Sequence, residues 1–376
     1  MGSEERGADV IVVGGGAIGL ACARAVAASG RSVVVLERAR AGEEATRAAG
    51  GMLSPLGESP GPGALLDLGL ESLAAWPAFA AELRDQSGVD VDLRLEGKLL
   101  LALAEDQAPS LQARREWIVR AGQRAEWWDG AELGRREPGA ARGVAGLLLP
   151  QEGQVDNRAL PKALRGAADR AGVRVREGIG VAALLARGTR VRGVRLDDGA
   201  ELGADVVILA AGAWSGGLVG LPRALPVRPV KGQMIALDAP GSGPLIRTVV
   251  ETDACYVIPR GTGGLVWVGA TSEEVGFQRG TTAAARRALR AAAVCAVPEL
   301  ARARELEAWD GFRPATPDGL PVLGPDPDLH GLVHATGHYR NGILLTPITA
   351  HLIASAVAGA PDPRLAAFAP ERFSAH

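Results

Sequence analysis

The sequence has few cysteines, no excess of charge and no long hydrophobic run. Its three cysteines, Cys22, Cys255 and Cys295, are too few and too scattered for a disulfide framework or a zinc ribbon. No apolar run reaches the roughly 18 residues that a membrane helix needs. Residues 1–9 are acidic where a signal peptide would be basic. These absences predict a cytoplasmic protein with no membrane partner.

The charge is nearly balanced, with 41 basic and 43 acidic residues and a formal net charge of −2. A chain without a basic excess lacks the electrostatic footprint of nucleic-acid binding. Apolar residues make up 47% and charged residues 22% of the 376 residues, which is typical of a folded protein of two or three domains. Glycine, with 51 residues, is the one excess. This excess of glycine reflects either a general bias toward small residues or the use of glycine where the backbone approaches a phosphate closely.

The N-terminal part of the chain has the pattern of a strand, a helix and a second strand. The β-branched run at 9–13 is typical of a parallel strand that is buried on both faces. Residues 20–29 contain helix formers and end at Gly30. A second strand is predicted at 32–36, directly before Glu37. The sequence therefore predicts a βαβ unit.

The glycine-rich segment of this unit has the spacing Gly14-x-Gly16-x-x-Gly19. In this context Gly14 permits a tight turn, Gly16 lets the backbone approach a pyrophosphate, and Gly19 lets helix and strand pack closely. The start of the helix adds N–H donors and a partial positive charge. Glu37 would accept hydrogen bonds from ribose hydroxyls. The pattern favours a dinucleotide site over a purely structural turn.

The remaining strands of the nucleotide-binding sheet are predicted far downstream, near residues 206 and 332. A nicotinamide enzyme usually completes this sheet in one stretch. Residues 48–52, Ala-Ala-Gly-Gly-Met, are a candidate for a second close approach of the backbone to a flat ligand. FAD is therefore favoured over NAD.

The fold class that follows is α/β, with discontinuous domains. We predict an FAD-binding Rossmann-like domain formed by residues 1–55, 151–225 and 311–376. The segments between them, 56–150 and 226–310, mix helical patterns with two-sided strand patterns. We predict that these two segments form a second, α+β domain that binds the substrate.

Several motifs resemble those of the D-amino-acid oxidase-like flavoproteins, and within them the glycine oxidases of thiamine biosynthesis. The resemblance covers nearly the whole chain. Its most specific parts are GFRPATPDGLP at 311–321, which recurs among amine-oxidising flavoproteins, and GHYRNGILL at 337–345, which is typical of the glycine oxidase branch. The other matching segments are the glycine fingerprint, Glu37-Arg38, 48–52, 206–215 and 230–233.

The resemblance implies a glutathione-reductase-like FAD domain and noncovalent FAD. No cysteine late in the chain and no histidine near the fingerprint matches the covalent attachment that some relatives use. The cofactor-binding residues that the resemblance and the fingerprint predict are Gly14, Gly16, Ala17, Ile18, Gly19, Glu37, Arg38, Ala45, Thr46, Gly50, Gly51, Met52, Val181, Gly212, His338, Tyr339, Arg340, Asn341, Gly342, Ile343 and Leu344.

The chemistry of such an oxidase requires a grip on the substrate carboxylate, and arginine supplies two parallel hydrogen bonds for it. Arg313, predicted in a loop before the final strand, is our candidate, and the resemblance places the carboxylate-binding arginine there. By resemblance, Arg340 lies over the substrate end of the flavin and Tyr256 reaches the carboxylate from the other domain. These three residues are the predicted catalytic and substrate-binding set. The N–H groups of 342–344, predicted at the start of the last helix, are candidates for facing flavin O2.

Two further features bear on specificity and on metals. Ala254 stands where glycine oxidases often have a histidine, so the preference among glycine, sarcosine and D-amino acids stays open.

His330, His334 and His338 are spaced by four residues, which on a helix would suggest a metal site. They lie in a predicted strand, where that spacing does not converge, and no metal is predicted.

The expected function is therefore oxidation of glycine, other small amines or D-amino acids by hydride transfer to flavin N5, with O2 reduced to H2O2. The resemblance implies an imine product that feeds thiazole formation, a possible hand-off to thiazole synthase and a possible homotetramer. The alternatives are a D-amino-acid dehydrogenase, or a sarcosine or other secondary-amine oxidase. A non-catalytic FAD-binding subunit of a larger complex is a further alternative, but the retention of Arg313, Tyr256 and Arg340 argues against it.

Overall fold

The nucleotide-binding sheet has six strands in the computed structural model, which describes residues 5–241 and 243–373. Residues 1–4 and 374–376 of the predicted FAD-binding domain lie outside the described residues. All neighbouring strands are parallel except the first pair. In spatial order the strands are Val322–Pro325, Leu332–Thr336, Val206–Leu209, Val10–Val13, Val33–Glu37 and Arg174–Glu177. The predicted α/β class is confirmed, and the ends of the central strands meet at one edge of the sheet.

Small and branched apolar residues let the helices approach this sheet closely. Helix Ala17–Ala27 joins the first two central strands in sequence and packs against Leu160–Arg170 and Thr346–Val357. The buried side chains between them include Leu20 and Leu164. The fingerprint glycines are thereby fixed at the point where this first helix begins.

Helix Ala64–Ser87 is long and apolar enough to cross a membrane by length and composition, the one such helix among the described residues. Its apolar residues are interspersed with polar ones, so no continuous run stands out in the sequence. A buried core helix meets the same criterion, and this helix packs against Leu160–Arg170 and Thr346–Val357 with Trp76 and Leu83 buried. This helix, which falls in the predicted second domain, therefore shares a core with the nucleotide-binding helices.

The second sheet has eight strands, and one of them crosses the predicted boundary at residue 310. Arg304–Ala315 pairs along its length with Arg228–Asp238, so residues 311–315 belong to this sheet. We therefore propose the two-domain division with that boundary after Ala315. In spatial order the strands are Arg304–Ala315, Arg228–Asp238, Leu265–Gly269, Tyr256–Pro259, Val249–Glu251, Lys98–Ala102, Ala145–Leu149 and Glu126–Asp129.

The remaining elements complete the surface and the connections. A four-stranded sheet contains Glu5–Arg6, Glu201–Gly203, Arg190–Leu196 and Val181–Arg187, and a two-stranded one contains Met52–Leu53 and Gly153–Gln154. The other α-helices are Ala45–Ala48, Pro55–Glu58, Ala108–Arg120, Gly130–Arg136 and Ala283–Ala296. Short 3₁₀ turns span Glu105–Gln107, Gly212–Gly217, Pro298–Arg302, Pro363–Phe368 and Pro370–Phe373.

Candidate functional site

One elongated cavity begins at the glycine fingerprint, where backbone packs against backbone. A Cβ on Gly14 would lie 2.4 Å from the carbonyl oxygen of Ala210, and Gly14 has a φ of 107°. A Cβ on Gly19 would lie 1.9 Å from the carbonyl oxygen of Gly14, so Gly19 serves helix–strand packing. Gly19 is not among the residues that line the cavity, and its contact with the cofactor stays a prediction. In the first turn of the helix the N–H of Ala17 donates to Oγ1 of Thr46 at 2.9 Å. The other first-turn N–H groups have no partner within the helix and can receive an anion.

Glu37 lines the cavity beside this turn. Its Oε2 accepts a hydrogen bond from the N–H of Gly15 at 2.8 Å, and its Oε1 accepts one from Ala39 at 2.9 Å. The carboxylate is fixed by the turn and still has acceptor capacity for hydroxyl groups. The Arg38 guanidinium lies 3.6 Å from the ring centroid of Trp214, another cavity residue. Sequence analysis placed Trp214 in a matching motif without a role in the site.

The segment 45–52 forms the next part of the cavity wall. Gly51 has a φ of 75°, and a Cβ there would lie 2.2 Å from the carbonyl oxygen of Val155. A Cβ on Gly50 would lie 2.8 Å from Cδ1 of Ile258. Neither position has room for a side chain, and both glycines line the cavity with backbone atoms. Their contact with a flat ligand stays a prediction. Val181 and Gly212 line the cavity elsewhere.

The motif at 337–345 is a series of turns, and the last helix begins later than predicted, at Thr346. The N–H groups of 342–344 consequently belong to a turn before the helix. His338 is buried, and its Nε2 lies 3.1 Å from Oγ1 of Thr349. Burial lowers the pKa of His338 to about 3, so the imidazole is neutral at physiological pH. Tyr339, with a φ of 48°, donates its backbone N–H to the carbonyl of Pro314 at 2.9 Å.

Arg313 lies in the strand Arg304–Ala315, not in a loop as predicted. The strand extends through it because residues 304–315 pair continuously with the neighbouring strand, apart from one irregularity near Leu237. The Nη1 of Arg313 donates to the carbonyl of Thr271 at 3.0 Å. A Cβ on Gly232, on the paired strand, would lie 2.5 Å from Nη2 of Arg313. The absence of a side chain at Gly232 thus makes room for the guanidinium at the cavity.

Tyr256 approaches the same end of the cavity from another strand of the second sheet. It is buried, its hydroxyl lies 3.7 Å from the sulfur of Met234, and a Cβ on Gly269 would lie 2.5 Å from that hydroxyl. Burial raises the pKa of Tyr256 against the opposing effect of Arg313, so its hydroxyl keeps its proton and can donate. Ala254 is exposed and does not line the cavity.

Arg340 is held by a buried carboxylate that sequence analysis missed. Its Nε lies 2.7 Å from Oε2 of Glu58, and Oε1 of Glu58 lies 3.5 Å from Nζ of Lys98. Lys98 is buried, with its Nζ 2.6 Å from Oε2 of Glu251 and donating to Oγ of Ser54 at 2.9 Å. Burial opposes ionisation of Glu58, but Lys98 and Arg340 hold its pKa below the usual value. No spacing or motif marks Glu58, because only the tertiary fold brings these charges together.

The described residues therefore bring a glycine-rich helix start, a fixed carboxylate and two arginines together along one cavity. A family model described as FAD dependent oxidoreductase matches residues 9–356. The chain belongs to this family. It is an oxidoreductase enzyme whose cofactor is FAD, and its backbone-lined cradle fits that group.

Relatives within this family match almost the whole chain. A glycine oxidase from Geobacillus kaustophilus is 37% identical over 93% of this chain and 92% of its own length. The crystal structure of glycine oxidase from the same species has a TM-score of 0.93 at 35% identity and covers 98% of this chain and 99% of that one. A bifunctional protein ThiO/ThiG from Synechocystis is 38% identical over 97% of this chain and 54% of its own length. The predicted resemblance to glycine oxidases is confirmed.

Proposed function

We propose that this protein is a glycine oxidase that also accepts other small amines, and that Arg313, Tyr256 and Arg340 bind the substrate. The observation that carries the proposal is that these three residues and Glu58, which is 2.7 Å from Arg340, line the same cavity as the dinucleotide fingerprint. The relatives named above as glycine oxidases support the same substrate.

The charges of this end of the cavity suit a small amino acid. The guanidinium of Arg313 can donate two hydrogen bonds to the substrate carboxylate, and the hydroxyl of Tyr256 can donate a third. Arg340, tied to Glu58, closes the end of the cavity with a second cation. Because the amine must be neutral before its carbon is oxidised, the two arginines favour the deprotonated amine by repelling an ammonium group.

FAD, held by the fingerprint, Glu37 and the segment 45–52, would supply a hydride acceptor for the substrate carbon and the chemistry that reduces O2 to H2O2. This chain's own residues hold the substrate by its carboxylate and fix the orientation of its carbon. To the backbone N–H groups of the turn at 342–344, which line the cavity, we assign the stabilisation of negative charge on the cofactor. We further propose that the imine product serves thiazole formation, as the ThiO/ThiG relatives suggest.

Peroxide release provides the test. The purified protein is assayed for O2 consumption and H2O2 with glycine, sarcosine and D-alanine. We expect equal molar amounts of both with glycine. Reduction of the flavin by glycine with reoxidation only by an artificial acceptor would instead indicate a dehydrogenase. No reduction by any of the three amines would contradict the proposal.

A further inference from the structure

The segment 45–52 is held from outside the cavity by side chains of other elements. Nδ2 of Asn157 donates to the carbonyl oxygens of Thr46 at 2.8 Å and Arg47 at 3.0 Å. Nε1 of Trp309 donates to the carbonyl oxygen of Ala48 at 3.1 Å. Neither Asn157 nor Trp309 lines the cavity. Consecutive carbonyls of the segment therefore point into the protein.

Arg260 continues this pattern at the two glycines. Its Nη2 donates to the carbonyl oxygen of Gly50, and its Nη1 donates to that of Val155 at 2.9 Å. The side chain is buried, with its guanidinium carbon 4.1 Å from the ring centroid of Trp267. Burial lowers the pKa of Arg260 to about 10, which still leaves it charged at neutral pH. Burying a charged group is unfavourable, so a simple packing role is better served by an apolar side chain.

The orientation of one peptide unit follows from these contacts. In a trans peptide the C=O of one residue and the N–H of the next point in opposite directions. Because the Gly50 carbonyl points to Arg260, the Gly51 N–H points the other way. Gly51 lines the cavity and Arg260 does not. Among the described residues, no protein atom accepts a hydrogen bond from the Gly51 N–H.

We propose that Arg260 is a positioning residue for the flavin. It fixes the Gly50–Gly51 peptide so that the Gly51 N–H is free to donate to an acceptor atom of the flavin ring. A donor fixed in advance stabilises charge on the ring without reorganisation at the moment of reaction. This inference depends on the FAD cofactor and is independent of the proposed amine substrate.

The chain offers a matched control for this role. Arg158 also stacks on Trp267, at 4.5 Å, and on Trp309, at 4.6 Å. Its Nη1 donates to Glu307, which also pairs with Arg47, but Arg158 itself makes no hydrogen bond to the 45–52 segment. Arg260→Met removes the two carbonyl contacts and retains an apolar group on the indole. Arg158→Met makes the same chemical change on the same ring.

Two measurements read out the cofactor without any amine. Apoprotein of each variant is titrated with FAD for its Kd, and the visible absorption spectrum of the bound flavin is recorded. For Arg260→Met we expect at least a tenfold higher Kd and a shifted flavin band. For Arg158→Met we expect wild-type values in both.

The outcomes that overturn the proposal are equally specific. A folded Arg260→Met variant with wild-type Kd and spectrum would contradict it. Equal losses in both variants would overturn the proposal, because they would assign the effect to the arginine–tryptophan packing that both side chains share and not to the carbonyl contacts of Arg260. If Arg260→Met does not fold, Arg260→Lys is measured, because a single ammonium cannot hold both carbonyls. We then expect a several-fold higher Kd, and wild-type values would overturn the proposal.

Discussion

At the scale of single residues, Arg313 should dominate substrate binding, because its guanidinium lies at the cavity where Gly232 leaves space. Arg313→Ala removes the fork that we assign to the substrate carboxylate. Truncating one partner of a buried charged pair costs about 2–5 kcal/mol, so kcat/KM for glycine should fall by a factor on the order of 30 to 4,000. Steady-state peroxide assays with the FAD-loaded variant measure this.

The control for Arg313 is Arg304, an exposed arginine on the same strand. Arg304→Ala should keep wild-type kcat/KM. Arg313→Lys should recover only part of the loss, because an ammonium cannot make two parallel hydrogen bonds. Wild-type kcat/KM in Arg313→Ala would remove Arg313 from the substrate site.

His338 gives a prediction about pH and stability. Its pKa is lowered to about 3 in the folded protein, while the unfolded chain takes up a proton below about 6.5. The unfolded state therefore binds more protons between these values, and stability falls as the pH falls below 6.5. From pH 7 to pH 5 this histidine should cost about 2 kcal/mol of unfolding free energy.

Denaturant unfolding at the two pH values measures this dependence. His338→Gln should remove about 2 kcal/mol of the difference between pH 7 and pH 5. His330, which is exposed, is the control, and His330→Gln should leave the difference unchanged. An unchanged pH dependence in His338→Gln would show that the buried imidazole does not stay neutral.

At the scale of elements, the paired strands Arg228–Asp238 and Arg304–Ala315 set the position of Arg313. Gly232→Ala would place a methyl group 2.5 Å from Nη2 of Arg313 and push the guanidinium aside. We expect a higher KM for glycine with unchanged FAD content, since the change lies in the substrate end. Gly134→Ala, where the added carbon meets nothing within 4 Å, should leave KM unchanged. A wild-type KM in Gly232→Ala would show that the strand pair tolerates the methyl group without moving Arg313.

The same elements show why the sequence predicted the cofactor end better than the substrate end. The fingerprint and the central strands are local patterns, in which spacing and burial are tied to one segment. The position of Arg313 within a strand depends on pairing with residues some 80 positions away, as in the pair of Val230 with Arg313. Such pairing leaves no local signal, since a Pro-rich stretch after Arg313 resembles a loop.

Long-range contacts also explain why the sequence did not predict Glu58 and Arg260 as parts of the site. The ion pairs of Glu58 with Arg340 and Lys98 join three distant parts of the chain. The hydrogen bond from Arg260 to Gly50 spans 210 residues. Neither Glu58 nor Arg260 lies in a recognisable motif. Each meets its partners only when the two large sheets are brought together. Side chains that position other site residues through long-range contacts are therefore the ones that cannot be predicted from a single sequence.

At the scale of the whole molecule, FAD should stabilise the folded state, because it contacts separate segments of the chain at once. The cavity is lined by residues from the fingerprint, from 45–52, and from both large sheets up to Leu344. A ligand that binds only the folded state adds RT ln(1 + [L]/Kd) to stability, which is about 2.7 kcal/mol at a hundredfold excess over Kd. The FAD-loaded protein should therefore unfold at a higher temperature than the apoprotein, by an amount that grows with FAD concentration.

Thermal unfolding of apoprotein with increasing FAD measures this coupling, and riboflavin is the matched control. Riboflavin has the ring but lacks the pyrophosphate and the adenosine, so it cannot use the helix start at the fingerprint or the Glu37 carboxylate. We expect a much smaller rise in Tm at equal concentration. An equal rise with riboflavin would mean that the fingerprint contributes little to binding, whereas no rise with FAD would contradict the assignment of this cavity to the cofactor.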